Sequence, residues 1–166
     1  MGLGRAPFFP TGLVVVEEDV LLPTTQLVTI IDPETGETTT IDKPITFGPG
    51  KAVGVIEEDG KETFKLVGAW RDTGNPHNFL GFQTNSLDNG TVRPIVITAR
   101  GSVVKNPVVT GGVPLEPGED VFLSIFVGEV TQNPAYFDLD GAVYYRIGYA
   151  VSANKLAISP DFIVRL

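Results

Sequence analysis

The sequence predicts an all-β protein made of two related β units. Three observations carry this. No window of about eleven residues keeps a helical apolar period without a Gly or Pro interruption. The 19 Gly and 13 Pro punctuate short apolar runs, which is the spacing of many turns. The chain also repeats itself. Pro49–Thr63 (PGKAVGVIEEDGKET) and Pro117–Thr131 (PGEDVFLSIFVGEVT) share a Pro-Gly start, Val three residues after the Gly, a second Gly and a closing Thr. Downstream, Phe79-Leu80-Gly81-Phe82 answers Arg146-Ile147-Gly148-Tyr149. Asn89-Gly90 with Pro94–Thr98 answers Ala153-Asn154 with Leu156–Ser159. The repeat runs over Pro49–Arg100 and Pro117–Ile158. Its two copies are expected to share a core as a sandwich or partly closed barrel. The expected division is an N-terminal arm and hairpin over 1–46, a first unit over 47–113 and a second over 114–166, the two units forming one compact domain.

Met1–Gly12 reads as an irregular arm, because Gly2, Gly4, Pro7 and Pro10 deny it regular structure. Phe8 and Phe9 are costly to leave in water, at about 1.5–3 kcal/mol each. They pack either on their own domain or on a neighbouring subunit. Leu13–Leu22 contains strong β-formers. Thr24–Ile31 and Thr38–Ile45 flank Asp32-Pro33-Glu34-Thr35-Gly36, a hairpin connection, with a threonine-rich solvated face.

In the first unit, Lys51–Glu57 is a strand, Asp59-Gly60 a tight turn and Thr63–Trp70 the return. Arg71–Asn78 is a polar loop, Phe79–Thr84 a short strand, and Asp88-Asn89-Gly90 turns into Val92–Arg100. Gly101 marks a bend before Ser102–Lys105. After the connector Asn106–Pro114, Asp120–Val127 turns at Gly128 into Glu129–Gln132. The loop Asn133–Gly141 leads to Ala142–Val151, with Val143, Tyr145 and Ile147 on one face and Tyr144, Arg146 and Gly148 on the other. Lys155–Ile158 and Phe162–Leu166 close the chain.

Composition excludes several chemistries. The absence of cysteine removes disulfides, thiolate zinc sites and a cysteine nucleophile, and His77 is the lone imidazole. The net charge of −8 disfavours nucleic acid as a partner. The apolar runs are too short to span a bilayer, and the N-terminus has no apolar stretch of signal-peptide length.

Few motifs invite chemistry. Asp72-Thr73-Gly74 spells the aspartic-protease triplet, but that reaction needs two carboxylates sharing a proton, and Arg71 and Asn75-Pro76 flank this one. It reads as a polar turn. Asp138-Leu139-Asp140-Gly141, Glu17-Glu18-Asp19 and Glu57-Glu58-Asp59 read as solvated carboxylates, short of the six oxygens a calcium loop supplies. Trp70, Phe79, Phe82, Tyr144, Tyr145 and Tyr149 are expected mainly in the core; the other reading is a sugar-binding platform. No catalytic residue, cofactor site or metal site is expected.

Leu115-x-Pro-Gly-x-x-Val-Phe-Leu-Ser, Gly128-x-Val-Thr and Arg146-Ile-Gly-Tyr-Ala-Val-Ser-x-x-Lys-Leu resemble β modules of tailed-phage virion proteins. They are most similar to capsid decoration (cement) and head-fibre proteins. Pro49–Val53, Phe79–Phe82 and Thr98–Gly101 resemble the same module, so the likeness covers about Gly48–Leu166. It implies a non-enzymatic protein on the outer face of a phage capsid, a homo-oligomer with a trimer favoured, and the major capsid protein as partner. Phe8, Phe9, Pro10, Arg71 and His77 are the candidate contact residues. The rival expectation is a receptor- or glycan-binding module of a tail fibre or baseplate, reading through Arg71–Asn78 and Asn133–Asp140.

Overall fold

Short β-rich segments closed by turn residues become short antiparallel strands. The computed structural model describes residues 13–15, 23–85, 95–97 and 101–162. Twelve strands lie among them: β1 (Leu13–Val15), β2 (Thr25–Ile31), β3 (Thr38–Pro44), β4 (Ala52–Glu58), β5 (Lys61–Leu66), β6 (Phe79–Gln83), β7 (Ile95–Ile97), β8 (Val103–Lys105), β9 (Asp120–Leu123), β10 (Val130–Thr131), β11 (Tyr145–Ser152) and β12 (Lys155–Phe162). Helical structure in the described residues is limited to single 3-10 turns at Pro76–Asn78, Thr110–Gly112 and Pro134–Tyr136. The all-β expectation holds. The β4–β5 turn is the two-residue one that Asp-Gly announces, with φ of 52° at Asp59 and 75° at Gly60. The hairpin β2–β3 stands where Asp32–Gly36 places it, in full register from Thr25↔Pro44 to Ile31↔Thr38.

The repeat is a repeat of topology. One sheet has the order β5-β4-β6-β7-β1 and the other β10-β9-β11-β12-β8. Each unit has four strands with the first standing between the second and the third, and its last strand also pairs with a lead strand that precedes the unit. The registers correspond as well. Val53↔Gly81 and Ala52↔Phe82 match Val121↔Gly148 and Asp120↔Tyr149. Both pairings then slip by one residue, to Gly54↔Phe79 and to Phe122↔Arg146. Lead strands match too, with Leu13↔Ile97 and Val14↔Val96 against Val103↔Ala157 and Val104↔Leu156. Both sheets end in edge strands, so the architecture is two open sheets rather than a barrel.

Three expectations change. Val103–Lys105, placed by sequence in the first unit, is the lead strand of the second sheet. The strand expected over Asp120–Val127 stops at Leu123, because Ser124 N–H bonds to Glu129 O and Ile125 N–H to Tyr136 O, turning the chain early. Thr63 and Thr131 are not equivalent in register. Thr63 faces Ile56, while Thr131 faces Phe122, whose counterpart Gly54 faces Lys65.

The two sheets share one core. Ala52, Val67 and Phe82 of the first pack with Val121, Leu123, Ile147, Leu156 and Ile158 of the second, all fully buried. Each such large side chain contributes about 1.5–3 kcal/mol. Backbone bonds sew the units together: Ala52 N–H to Gly128 O, Gly128 N–H to Val67 O and Ala69 N–H to Ser124 O, with Val67 N–H to Ala52 O closing the set inside the first unit. The other face of the first sheet is also covered, since Val53, Phe64 and Leu66 lie under Ile45, Phe47 and Leu80.

Strict alternation along β11 would carry the inward set Tyr145, Ile147 on to Tyr149 and Val151. The slip between Arg146 and Gly148 reverses the phase. Ala150 turns inward, and Tyr149 and Val151 face solvent. Glycine permits this, because a Cβ on Gly148 would stand 1.8 Å from the Ala157 carbonyl oxygen. Gly148→Ala should therefore cost about 2–3 kcal/mol of unfolding free energy in urea. Gly48→Ala, which meets nothing within 4 Å, should be close to neutral. Equal stability of the two variants would show that the slip does not depend on the glycine.

Candidate functional site

The hairpin β2–β3 lies outside both sheets and is held to them by polar side chains. Gln26 Nε2 donates to Leu66 O at 2.8 Å and to Thr73 O at 3.0 Å, while Leu66 N–H donates to Gln26 Oε1 at 3.1 Å. One amide thus does for the end of β5 what a neighbouring strand would do. The hydroxyls of Thr29 and Thr73 meet at 3.2 Å.

Arg71–Asn78 receives this latch. Trp70 O accepts from the N–H groups of Thr73, Gly74 and Asn75, winding the loop tightly. Gly74 sits against Gly68, whose nitrogen would lie 2.6 Å from an added Cβ. Thr73 is buried and Asp72 exposed. Asp72-Thr73-Gly74 is therefore a seat for the hairpin, with its carboxylate in solvent. His77 N–H donates to Asn75 Oδ1, and the Arg71 guanidinium lies 3.4 Å from His77 Nε2. The structure thus brings Arg71 and His77 together on the surface. Phe8, Phe9 and Pro10 lie outside the described residues, as does Glu17-Glu18-Asp19.

The outer strand of the hairpin is open. Every residue of β3 is exposed. The bonds from Asp32 N–H to Glu37 O and from Ile45 N–H to Thr24 O fix the phase of the ladder. In that phase Thr39, Ile41 and Lys43 bond to β2, and Thr38, Thr40 and Asp42 turn their backbone groups outward. Pro44, with no N–H to offer, occupies the next outward position and ends the edge. Leu27, Ile30 and Ile41 of the hairpin are exposed, and Ile30 lines a groove with Lys43, Ile45, Lys51, Phe126 and Glu129.

Most aromatic residues belong to the interior, as expected. Phe79 meets Phe82 and Tyr145 edge-on or tilted within the shared core. Phe137, Phe122 and Tyr144 lie nearly parallel, with centroids 4.0–5.1 Å apart. Trp70 packs with Ala69 and Ile125. Tyr149 alone of the six faces outward, so they do not assemble a platform. Asp138 and Asp140 are exposed at a turn, and among the described residues no group of three or more His, Asp or Glu side chains is placed to hold a metal ion. Sequence reasoning missed the outward Phe126 and Val113, since nothing in a β pattern distinguishes a loop apolar residue that packs from one that does not.

Gln26→Ala should lower stability by about 1–3 kcal/mol, since it strips partners from both backbone groups of Leu66. It should also speed amide exchange at Leu66 while Ile147 stays protected. Unchanged exchange at Leu66 would mean that the hairpin is held by other contacts.

Comparison with known proteins returns no matching family model, no matching curated protein and no matching solved structure.

Proposed function

We propose that this chain is a structural virion protein that binds the outer surface of a phage capsid and stabilises it, acting by binding and not by catalysis. The observation that carries the reading is the open, fully exposed edge of β3, with outward backbone groups at Thr38, Thr40 and Asp42. Such an edge takes an extended segment of another protein as an added strand. The resemblance of Gly48–Leu166 to decoration and head-fibre modules supplies the partner, the major capsid protein. The hairpin edge and the adjoining Arg71–His77 surface make the contact, with Phe8, Phe9 and Pro10 of the arm as additional contacts. Several copies bind one shell, and repetition over a lattice lets a modest contact stabilise the whole particle.

Purified protein added to bare expanded heads should give density over the capsomers by cryo-electron microscopy and raise their resistance to heat or chelator. No binding to expanded heads rejects the reading, and density at the tail tip instead favours the receptor-binding alternative. Thr40→Pro removes one outward N–H at a position where an edge strand tolerates proline. It should leave the melting temperature nearly unchanged and weaken head binding about tenfold, the worth of one hydrogen bond. Undiminished binding would exclude the β3 edge as the contact.

A further inference from the structure

Strand β3 is a regular edge. Its ladder to β2 runs without a bulge from Thr25↔Pro44 to Ile31↔Thr38, and every residue of it is exposed. An unbroken edge invites another strand unless a bulge, a proline or a covering element stops it. Pro44 stands only at the end of β3, and Thr38, Thr40 and Asp42 turn their N–H and C=O groups outward before it.

These positions are symmetric about Thr40. A second β3 laid antiparallel across a two-fold axis at Thr40 sets Thr38 of each copy opposite Asp42 of the other, and Thr40 opposite Thr40. Each of these is then a hydrogen-bonded pair, in which both residues give their N–H and accept through their C=O. The intervening positions oppose each other with their side chains closer together. Thr39 meets Ile41 of the second copy there, and Glu37 meets Lys43, once at each end. Neither Glu37 nor Lys43 has an ion-pair partner among the described residues. Opposite charges set directly across a ladder stabilise it, as do threonine pairs.

Other registers lose this match. Moving the axis to Thr39 sets Asp42 opposite Gly36, whose N–H is already given to Asp32 O. Moving it to Ile41 sets Thr38 opposite Pro44, which has no N–H. Either move also takes Glu37 away from Lys43. The hairpin leans on the body through Gln26 and Thr29 of β2. The two bodies therefore stand at the outer sides of the joined hairpins.

We infer that β3 pairs antiparallel with β3 of a second copy of the chain, in the register centred on Thr40. An isologous contact closes at two copies, so the free chain is a dimer in place of the trimer that the family resemblance implies. The pairing needs only the chain itself. The edge holds one strand at a time, so the pair opens where the capsid segment proposed above binds.

Sedimentation velocity of the full chain from about 1 µM to about 1 mM should show the mass rising toward twice the 17.8 kDa of one chain. Amide exchange at Thr38, Thr40 and Asp42 should slow in the concentrated sample. Thr39 and Ile41, already bonded to β2, should change little. Lys43→Glu sets two carboxylates opposite each other at both ends and should weaken the association about tenfold, with an unchanged melting temperature. Adding Glu37→Lys to Lys43→Glu exchanges the two charges and should restore it. Where Lys43→Glu misfolds, the edge amides of the unaltered chain decide. The dimer is overturned by one-chain mass at about 1 mM or by edge amides that exchange equally fast at both concentrations. It is also overturned by association that Lys43→Glu leaves intact or that the charge exchange does not restore. Lys43→Glu keeps the outward backbone groups of β3, so bare heads should still bind it. Loss of pairing and loss of head binding are therefore separate results.

Discussion

The backbone junction between the two units is the constraint on which the rest of the structure depends. Gly128 bonds to both Ala52 and Val67, a set that the Val67–Ala52 bond closes inside the first unit, and Ala69 and Ser124 add a third bond across the junction. These groups are buried or nearly so, and an unpaired backbone group in that setting costs about 1–3 kcal/mol. Neither sheet can be completed at this edge without the other. The junction also explains the early turn after Leu123: the chain must leave the strand there to present Ser124 O and Gly128 to the first unit. The shared core then follows, because the sheets are pinned with Ala52 and Phe82 facing Val121 and Leu123.

Much of the fold was legible in the sequence. Asp32–Gly36 and Asp59-Gly60 carry their turn geometry in their residue types, so both hairpins could be placed from local chemistry. The repeat was legible because its Gly and Val positions sit at equivalent points of two ladders. What escaped was non-local. Ser102–Lys105 reads the same whether it joins the strands before it or after it, and only tertiary pairing decides. The phase reversal at Arg146–Gly148 hides in a run that alternates convincingly, because a slip is a property of two strands rather than one. The aspartic triplet was legible as a turn, but its role under the hairpin depends on Gln26 and Thr29, far away in the chain.

The candidate site shows the same division. Arg71 and His77 could be singled out as exposed polar residues, and they do lie side by side. The open edge of β3 could not be read from its composition alone, since threonines and Ile41 suit a paired strand equally well. The glutamines are the least visible feature of all. Gln26 brackets Leu66, and Gln132 in the same manner takes Glu116 N–H at 2.7 Å and donates to Glu116 O at 3.0 Å. In both places a side-chain amide substitutes for a strand and lets a loop end in satisfied bonds.

The lead strands also bear on how the gene could have grown. β1 pairs with β7 through Leu13↔Ile97, and β8 with β12 through Val103↔Ala157. The first closure spans a longer stretch because the hairpin β2–β3 lies in the chain between the lead strand and the four strands that follow it. Loop-closure entropy rises only with the logarithm of length, so the extra chain costs about 0.4 kcal/mol. An accessory element can be spliced between the lead strand and the rest of its sheet at almost no thermodynamic penalty. The equivalent connector of the second unit, Asn106–Pro114, is a ready place for another.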